Sequence, residues 1–154
     1  KEVLNLSDGV YSSNSIAAMG IAAHEAGHAM QKLENYAPLN LRSAIVPAVN
    51  ICSSLSTPMF ILGLIFAWQP LVYIGIGLFA ASTVFALVTL PVEFDASKRA
   101  IQMLSEGGYI SGAEEERNVR KVLSAAALTY VAAAVTSLLS LLRLILIAKR
   151  NDRN

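Results

Sequence analysis

Three long stretches without charged residues dominate the hydropathy pattern of the chain. They cover 43–68, 71–92 and 123–148, and only Arg143 interrupts the third. Each stretch supplies the about 20 helical residues that cross a hydrocarbon core about 30 Å thick. A chain of 154 residues is too short to surround three such helices with polar ones, because a small domain has much surface for its volume. The pattern therefore predicts three membrane spans, the first of them kinked or partly re-entrant because it contains two prolines.

The segments between the spans predict smaller elements. Val3 to Leu6 has the pattern of a short strand, and serines before Ile16 can cap a helix that runs to about Leu33. A charged helical stretch over 93–105 follows the second span, and a further helix beginning near Ser111 is expected to continue into the third. We predict an all-α membrane protein with three transmembrane helices, a surface helix over about 16–33 and a short N-terminal strand. The boundaries predicted within this single domain, 1–154, are 1–42 for the first surface region and 93–122 for the second.

Composition agrees with a membrane protein. The chain is 55% hydrophobic and 15% charged, against about 25% charged residues in an average soluble domain. Its net charge of +1 and the lack of a basic run with interleaved aromatics argue against nucleic acid as a partner. Lys1 is not a methionine and no signal peptide follows it, so we expect a fragment that another anchor could precede.

The only two histidines, His24 and His28, enclose Glu25 in an H-E-x-x-H motif. Residues four apart share one face of a helix, so both imidazoles can reach one metal ion. Glu25, next to the first histidine, can act as a base toward a metal-bound water. The alternative is a pair of hydrogen-bonded histidines on an ordinary helix. A glycine such as Gly27 lowers helix stability by about 1 kcal/mol relative to alanine in a helix interior. Close approach of another backbone or of a substrate would explain a glycine at this position.

A catalytic zinc ion needs a third protein ligand, and Glu93 is the predicted one. If the first span leaves the histidine side of the membrane and the second returns, residues 93–122 lie on that side. Ser97 shares the face of Glu93 one turn on and could hydrogen-bond a ligand, whereas Asp95 points away from that face. Glu93 and Asp95 could instead be charges that cap the membrane end of the helix. Possible substitute ligands are Asp8, Glu34 and Glu106.

These residues resemble a known family. The run from Ser12 to Gln31 with the H-E-x-x-H motif, the segment 91–97 and the three apolar stretches resemble the YugP-type neutral zinc metallopeptidases, which are bacterial membrane proteins. That group is distantly similar to the HtpX and CAAX-prenyl membrane proteases, whose ligand glutamate is followed four residues later by an aspartate. The resemblance implies Glu93 as a zinc ligand, but Ser97 stands where the aspartate would be.

The predicted function is a gluzincin-like, membrane-embedded endopeptidase that hydrolyses peptide bonds with a zinc-bound water activated by Glu25. With both histidines bound to the single zinc ion, the oxyanion would be stabilised by Tyr109, Tyr130 or Arg120, or by zinc alone. The alternative is a catalytically silent zinc-binding scaffold or adaptor with a closed fourth ligand. A small transporter or channel subunit is weakly supported, because the spans carry almost no ionisable groups.

The expected partners are a peptide or membrane-protein substrate and the lipid bilayer, with a homo-oligomer or a partner membrane protein also possible. Val3 to Leu6 could pair with an extended substrate as an edge strand. The basic residues on the histidine side predict that the active site of this multi-pass cell-membrane protein faces the cytoplasm. The basic residues expected on the opposite side are Arg143, Lys149, Arg150 and Arg153.

Overall fold

The computed structural model describes residues 3–152, and its secondary structure there is helical. The helices, in chain order, are α1 (Asp8–Tyr11), α2 (Ile16–Leu33), α3 (Ala37–Ile65), α4 (Gln69–Glu106) and α5 (Ala113–Asn151). The all-α prediction is confirmed for these residues.

The predicted N-terminal strand is wrong. Residues 3–7 have no regular secondary structure, and the short helix α1 follows them. Val3 and Leu4 are exposed, so the apolar side chains at the start of this segment do not bury one face of a strand. Four residues of strand-like pattern are not enough without a neighbouring strand to accept their main-chain hydrogen bonds. The expectation that this segment pairs with substrate as an edge strand falls with it.

Three of the helices in the described part of the chain are long and apolar enough to cross a membrane, namely α3, α4 and α5. Their bounds differ from the predicted spans. Helix α3 is continuous through Pro47 and Pro58, and α4 continues beyond the predicted span through the charged stretch 93–105 to Glu106. Helix α5 joins the predicted surface helix to the third span, as expected.

The described residues divide into two compact units. The first comprises the chain up to Asn40 together with Leu90–Tyr130. Its core is built from small and branched apolar residues of α2, α4 and α5, with Ile110 from the preceding loop: Ala23, Ala100, Leu104, Ile110, Val119 and Leu123. This unit contains the H-E-x-x-H motif and Glu93.

The second unit comprises Leu41–Thr89 and the chain from Val131 onward. Phe60, Val72 and Ala148 form its core. Within this unit the buried Ser56 hydroxyl donates a hydrogen bond to the Gly75 carbonyl oxygen at 3.1 Å. Many of its large apolar side chains are exposed, among them Ile51, Ile65 and Leu139. Exposed apolar surface on long apolar helices is expected of a lipid-facing unit.

Candidate metal centre

Helix α2 has well-formed ends that fix its position in the sequence. The Ser15 hydroxyl accepts a hydrogen bond from the Ala18 backbone N–H at 3.1 Å, which caps the first turn. At the other end Asn35 adopts a positive φ of 54°, and the Tyr36 N–H donates to the Gln31 carbonyl oxygen at 2.9 Å. This six-to-one hydrogen bond after a left-handed residue is the Schellman ending, in which asparagine can replace glycine.

Gly27 lies where α2 meets α4. A Cβ atom built on Gly27 would lie 2.5 Å from the carbonyl oxygen of Ala96 and 3.2 Å from its Cα. Both glycine and Ala96 are buried, so the two helix backbones are in contact at this point. The close approach explains the glycine inside the H-E-x-x-H motif and brings the histidine face of α2 against the turn of α4 that starts at Glu93.

Both imidazoles direct Nε2 toward one carboxylate oxygen. His24 Nε2 lies 3.1 Å and His28 Nε2 lies 3.5 Å from Glu93 Oε2. The Glu93 side chain is 2% exposed, and the two imidazole rings meet edge to face at a centroid distance of 4.8 Å. One ligand atom from each of these three residues lies within 4.8 Å of the others. The residues form a group that could hold a metal ion.

The second ring nitrogen of each histidine also has a partner. His24 Nδ1 lies 3.1 Å from the Ser97 hydroxyl, and His28 Nδ1 lies 3.0 Å from Gln31 Oε1. An amide oxygen can only accept a hydrogen bond, so this contact favours a proton on Nδ1 of His28. A neutral ring with its proton on Nδ1 has the lone pair of Nε2 available for a metal ion.

The electrostatics of the group favour positive charge. Hydrogen bonding to the Glu93 carboxylate raises the pKa of His28 above its ordinary value, and burial opposes this effect. Hydrogen bonding to Gln31 and the negative charges of Glu93 and Glu25 raise the pKa further. A carboxylate that stabilises a proton between these groups would stabilise a metal cation at the same place.

A buried glutamine connects the group to a chain of charged residues that the sequence did not suggest. Gln31 is 0% exposed, and its amide nitrogen donates to the Val92 carbonyl oxygen and to Asp95 Oδ2, at 2.8 Å each. Arg99 Nε donates to the same Asp95 oxygen at 2.6 Å, and its Nη1 donates to Glu34 Oε2 at 2.6 Å. Asp95 is thus directed away from the imidazoles but remains joined to them through Gln31.

The substitute ligands have other roles among the described residues. Glu34 pairs with Arg99, and Glu106 accepts a hydrogen bond from the Gln102 side chain at 2.8 Å. Asp8 begins α1, and none of the three belongs to the metal-type group. Glu25 is exposed on the solvent side of α2.

The three residues considered for oxyanion stabilisation are separated by the structure. Arg120 forms an ion pair with Glu116 at 2.6 Å and lines a cavity of about 500 Å³ together with Ser97. Tyr109 is 71% exposed and borders a different cavity, which is apolar, with Met19 and Leu104. Tyr130 is 36% exposed and lines neither of these cavities.

The motif, the glutamate from a second helix and the long apolar helices together have the features of a membrane metallopeptidase. The family model described as "Putative neutral zinc metallopeptidase" matches residues 1–149, and the chain belongs to this family. The resemblance proposed from the sequence is confirmed.

One curated relative is similar over most of the chain. It is "Putative membrane protease YugP" of Bacillus subtilis (strain 168), which is 48% identical over 147 residues. The alignment covers 96% of this chain and 65% of that protein, so the chain spans slightly less than two thirds of the relative's length. No solved structure matches the chain.

Proposed function

We propose that the chain is a membrane-embedded, zinc-dependent endopeptidase with His24, His28 and Glu93 as the zinc ligands. The observation that carries the proposal is the convergence of two Nε2 atoms on one buried carboxylate oxygen, at 3.1 and 3.5 Å. Membership of a zinc metallopeptidase family supports the choice of metal. The name of the curated relative supports a protease at a membrane.

The donor set fits zinc. Two imidazole nitrogens and one carboxylate are a ligand set of catalytic zinc sites, in which bonds of about 2.0–2.2 Å put tetrahedral ligand atoms about 3.4 Å apart. The two separations from Glu93 Oε2, 3.1 and 3.5 Å, lie on either side of that value, and the ligand atoms of the three residues lie within 4.8 Å of one another. Three ligands among the described residues leave a fourth position for water or substrate, whereas a structural zinc site is closed by a fourth protein ligand.

Zinc in this position would acidify a coordinated water and polarise the scissile carbonyl. Glu25 follows His24 on the same turn and is exposed, and its negative charge acts on the His28 imidazole. In the proposed mechanism its carboxylate takes the proton from the attacking water and delivers it to the leaving amine. A side chain that lies at the solvent edge of the metal group can meet both the water and the substrate.

Arg120 is the best supported of the three candidates for oxyanion stabilisation. It lines the same cavity as Ser97, and Ser97 contacts His24, so substrate in that cavity would lie beside the metal group. Its charge would stabilise a developing oxyanion once substrate competes with Glu116 for the guanidinium. Tyr109 borders a different cavity and is the weaker candidate.

The proposed substrate is a peptide segment or a membrane protein, cleaved by a multi-pass membrane enzyme whose catalytic helix α2 lies at the cytoplasmic surface. Three apolar helices support the membrane location. Basic residues in the first unit support the cytoplasmic side by the positive-inside tendency. They include Lys32, Lys98, Arg99, Arg117, Arg120 and Lys121.

The test is zinc stoichiometry of the protein purified in detergent, measured by elemental analysis. We expect one zinc per chain in the parent and in the control variant Glu106→Ala, and none or much less in His24→Ala and Glu93→Ala. Zinc retained by Glu93→Ala would refute the ligand set. A parent that binds no zinc under metal-replete conditions would refute the function itself.

Activity is tested with a fluorescent casein and a peptide library read by mass spectrometry. Glu25→Gln is expected to keep its zinc and to cleave at least about 100-fold more slowly, because general-base catalysis contributes about 10²–10⁴-fold. The matched control Glu114→Gln, on α5, is expected to cleave like the parent. Equal cleavage by the parent and Glu25→Gln would refute the catalytic role of Glu25, and bound zinc with no cleavage by the parent would favour the scaffold alternative.

A further inference from the structure

We infer that Gln31 is a positioning residue, which fixes the His28 ring with its proton on Nδ1 and is itself held in orientation by Asp95, Arg99 and Glu34. The inference rests on the proposed function in one respect, since it assigns His28 Nε2 to zinc. The structure supplies the reason, because every hydrogen bond of the Gln31 amide has one possible direction.

The amide nitrogen of Gln31 has two hydrogens and two partners. The partners are the Val92 carbonyl oxygen and Asp95 Oδ2, both at 2.8 Å, and a carbonyl oxygen can only accept. A rotation that exchanged the amide oxygen and nitrogen would place the amide oxygen against the Val92 carbonyl oxygen, at a residue that is 0% exposed. The oxygen of the amide must therefore face His28 Nδ1, which must donate.

Asp95 is in turn held in place by Arg99. Arg99 donates to it through Nε at 2.6 Å and to Glu34 through Nη1 at 2.6 Å. The guanidinium also lies 5.7 Å from the centre of the Tyr36 ring, in the range of a cation–π contact. The positioning chain thus runs from His28 through Gln31, Asp95 and Arg99 to Glu34, and crosses between α2 and α4.

His24 lacks such a constraint. Its Nδ1 contacts the Ser97 hydroxyl at 3.1 Å, and a hydroxyl can donate or accept. Ser97 therefore accommodates either tautomer of His24, while Gln31 accommodates one tautomer of His28. The two histidines of the motif should differ in how strongly the protein sets their tautomers, and this difference can be measured.

The chain contains only two histidines, so ¹⁵N-histidine labelling gives a spectrum of two imidazoles, which His24→Gln assigns. Spectra are recorded without metal, at a pH where both rings are neutral, in a Glu93→Gln background that removes the carboxylate accepting at Nε2. In this background we expect His28 to show the Nδ1–H tautomer. In Gln31→Met, which keeps the chain length and loses the hydrogen bonds, we expect His28 to shift toward the Nε2–H tautomer and His24 to remain unchanged.

Zinc affinity is measured in parallel by competition with a chromophoric chelator. Loss of an outer partner of a metal ligand weakens metal binding by about 10–100-fold, and we expect a loss in this range for Gln31→Met. The control Gln102→Met changes an exposed glutamine on α4 and should bind zinc like the parent. An unchanged His28 tautomer together with unchanged affinity in Gln31→Met would overturn the inference.

Asp95→Asn provides a second variant in case Gln31→Met does not fold. An asparagine at this position keeps the shape and can turn its own amide nitrogen toward Gln31, so that the Val92 carbonyl oxygen alone holds the orientation of the Gln31 amide. We expect a mixture of His28 tautomers and an intermediate loss of zinc affinity. A single Nδ1–H tautomer in Asp95→Asn would contradict the role of the positioning chain. A parent without zinc, together with the expected tautomers in the Glu93→Gln background, would refute the proposed function and leave the role of Gln31 intact.

Discussion

Replacing Gly27 with alanine should damage the metal centre although the new side chain touches neither imidazole. The added Cβ would lie 2.5 Å from the Ala96 carbonyl oxygen, whereas a carbon–oxygen contact is normally at least about 3.3 Å. Relief of the clash requires α2 and α4 to separate by about 0.8 Å. The neighbour is backbone, so no side chain can rotate away to absorb this shift.

Two opposing terms set the change in stability. Overpacking costs about 1–3 kcal/mol, and replacing glycine by alanine inside a helix returns about 1 kcal/mol. We expect Gly27→Ala to be destabilised by about 0–2 kcal/mol, a change that leaves most of the protein folded. We expect zinc binding to suffer more than stability. Metal–ligand distances vary by only about 0.2 Å, and a shift of about 0.8 Å exceeds this tolerance.

Gly20→Ala is the matched control. It lies on the same helix, and its added Cβ would meet Val119 at an ordinary contact distance of 3.8 Å. We expect Gly20→Ala to bind zinc like the parent and to gain up to about 1 kcal/mol of stability. The assays are chelator competition for zinc and thermal unfolding in detergent followed by circular dichroism. Gly27→Ala with the zinc affinity and unfolding temperature of Gly20→Ala would refute the argument from helix contact.

Three further predictions concern zinc and topology. Ser97→Ala should weaken zinc binding by about 10-fold or more, because His24 Nδ1 loses its partner, and Lys98→Ala should not; equal affinities in the two variants would contradict this. Chelation should lower the unfolding temperature of the parent but not of His24→Ala, since zinc at 100 times its Kd adds about 2.7 kcal/mol to the folded state; a parent insensitive to chelator would exclude a stabilising site. In a Cys52→Ser background, a membrane-impermeant maleimide should label Glu114→Cys only after the cells are permeabilised and Asp152→Cys in intact cells, and the reverse pattern would place the site outside.

The sequence predicted the number of long apolar helices better than their ends. The change from apolar to charged residues at Glu93 suggested a new element, but α4 continues through Pro91 to Glu106. The reason is a stripe at intervals of four residues, Val92, Ala96, Ala100 and Leu104, which is buried throughout. The other faces of this segment carry charged residues, so a count of charged residues along the sequence does not detect the apolar stripe.

The ligand group was easier to predict than its surroundings. Glu93 could be proposed because a charge directly after an apolar run is conspicuous. Gln31 could not, because an uncharged amide acquires its role only from partners that lie 61 and 64 residues away in sequence. Its spacing of three residues from His28 was the one local sign, since residues three apart are neighbours on a helix.

The α2–α4 contact supplies both the metal ligands and the groups that orient them. The buried face of α2 is made of Ala18, Gly20, Ala23, Gly27 and Gln31. The first four have small side chains, so the backbone of α2 can approach α4 closely. Only in the last turn is the buried side chain a large one, the amide of Gln31. The resemblance leads one to expect an aspartate at position 97. In this chain the carboxylate belongs to Asp95 instead, and it acts on His28 through the Gln31 amide. Ser97 is then sufficient as the partner of His24, because a carboxylate linked to one of the two histidines is enough for the α2–α4 interface to define the geometry of both.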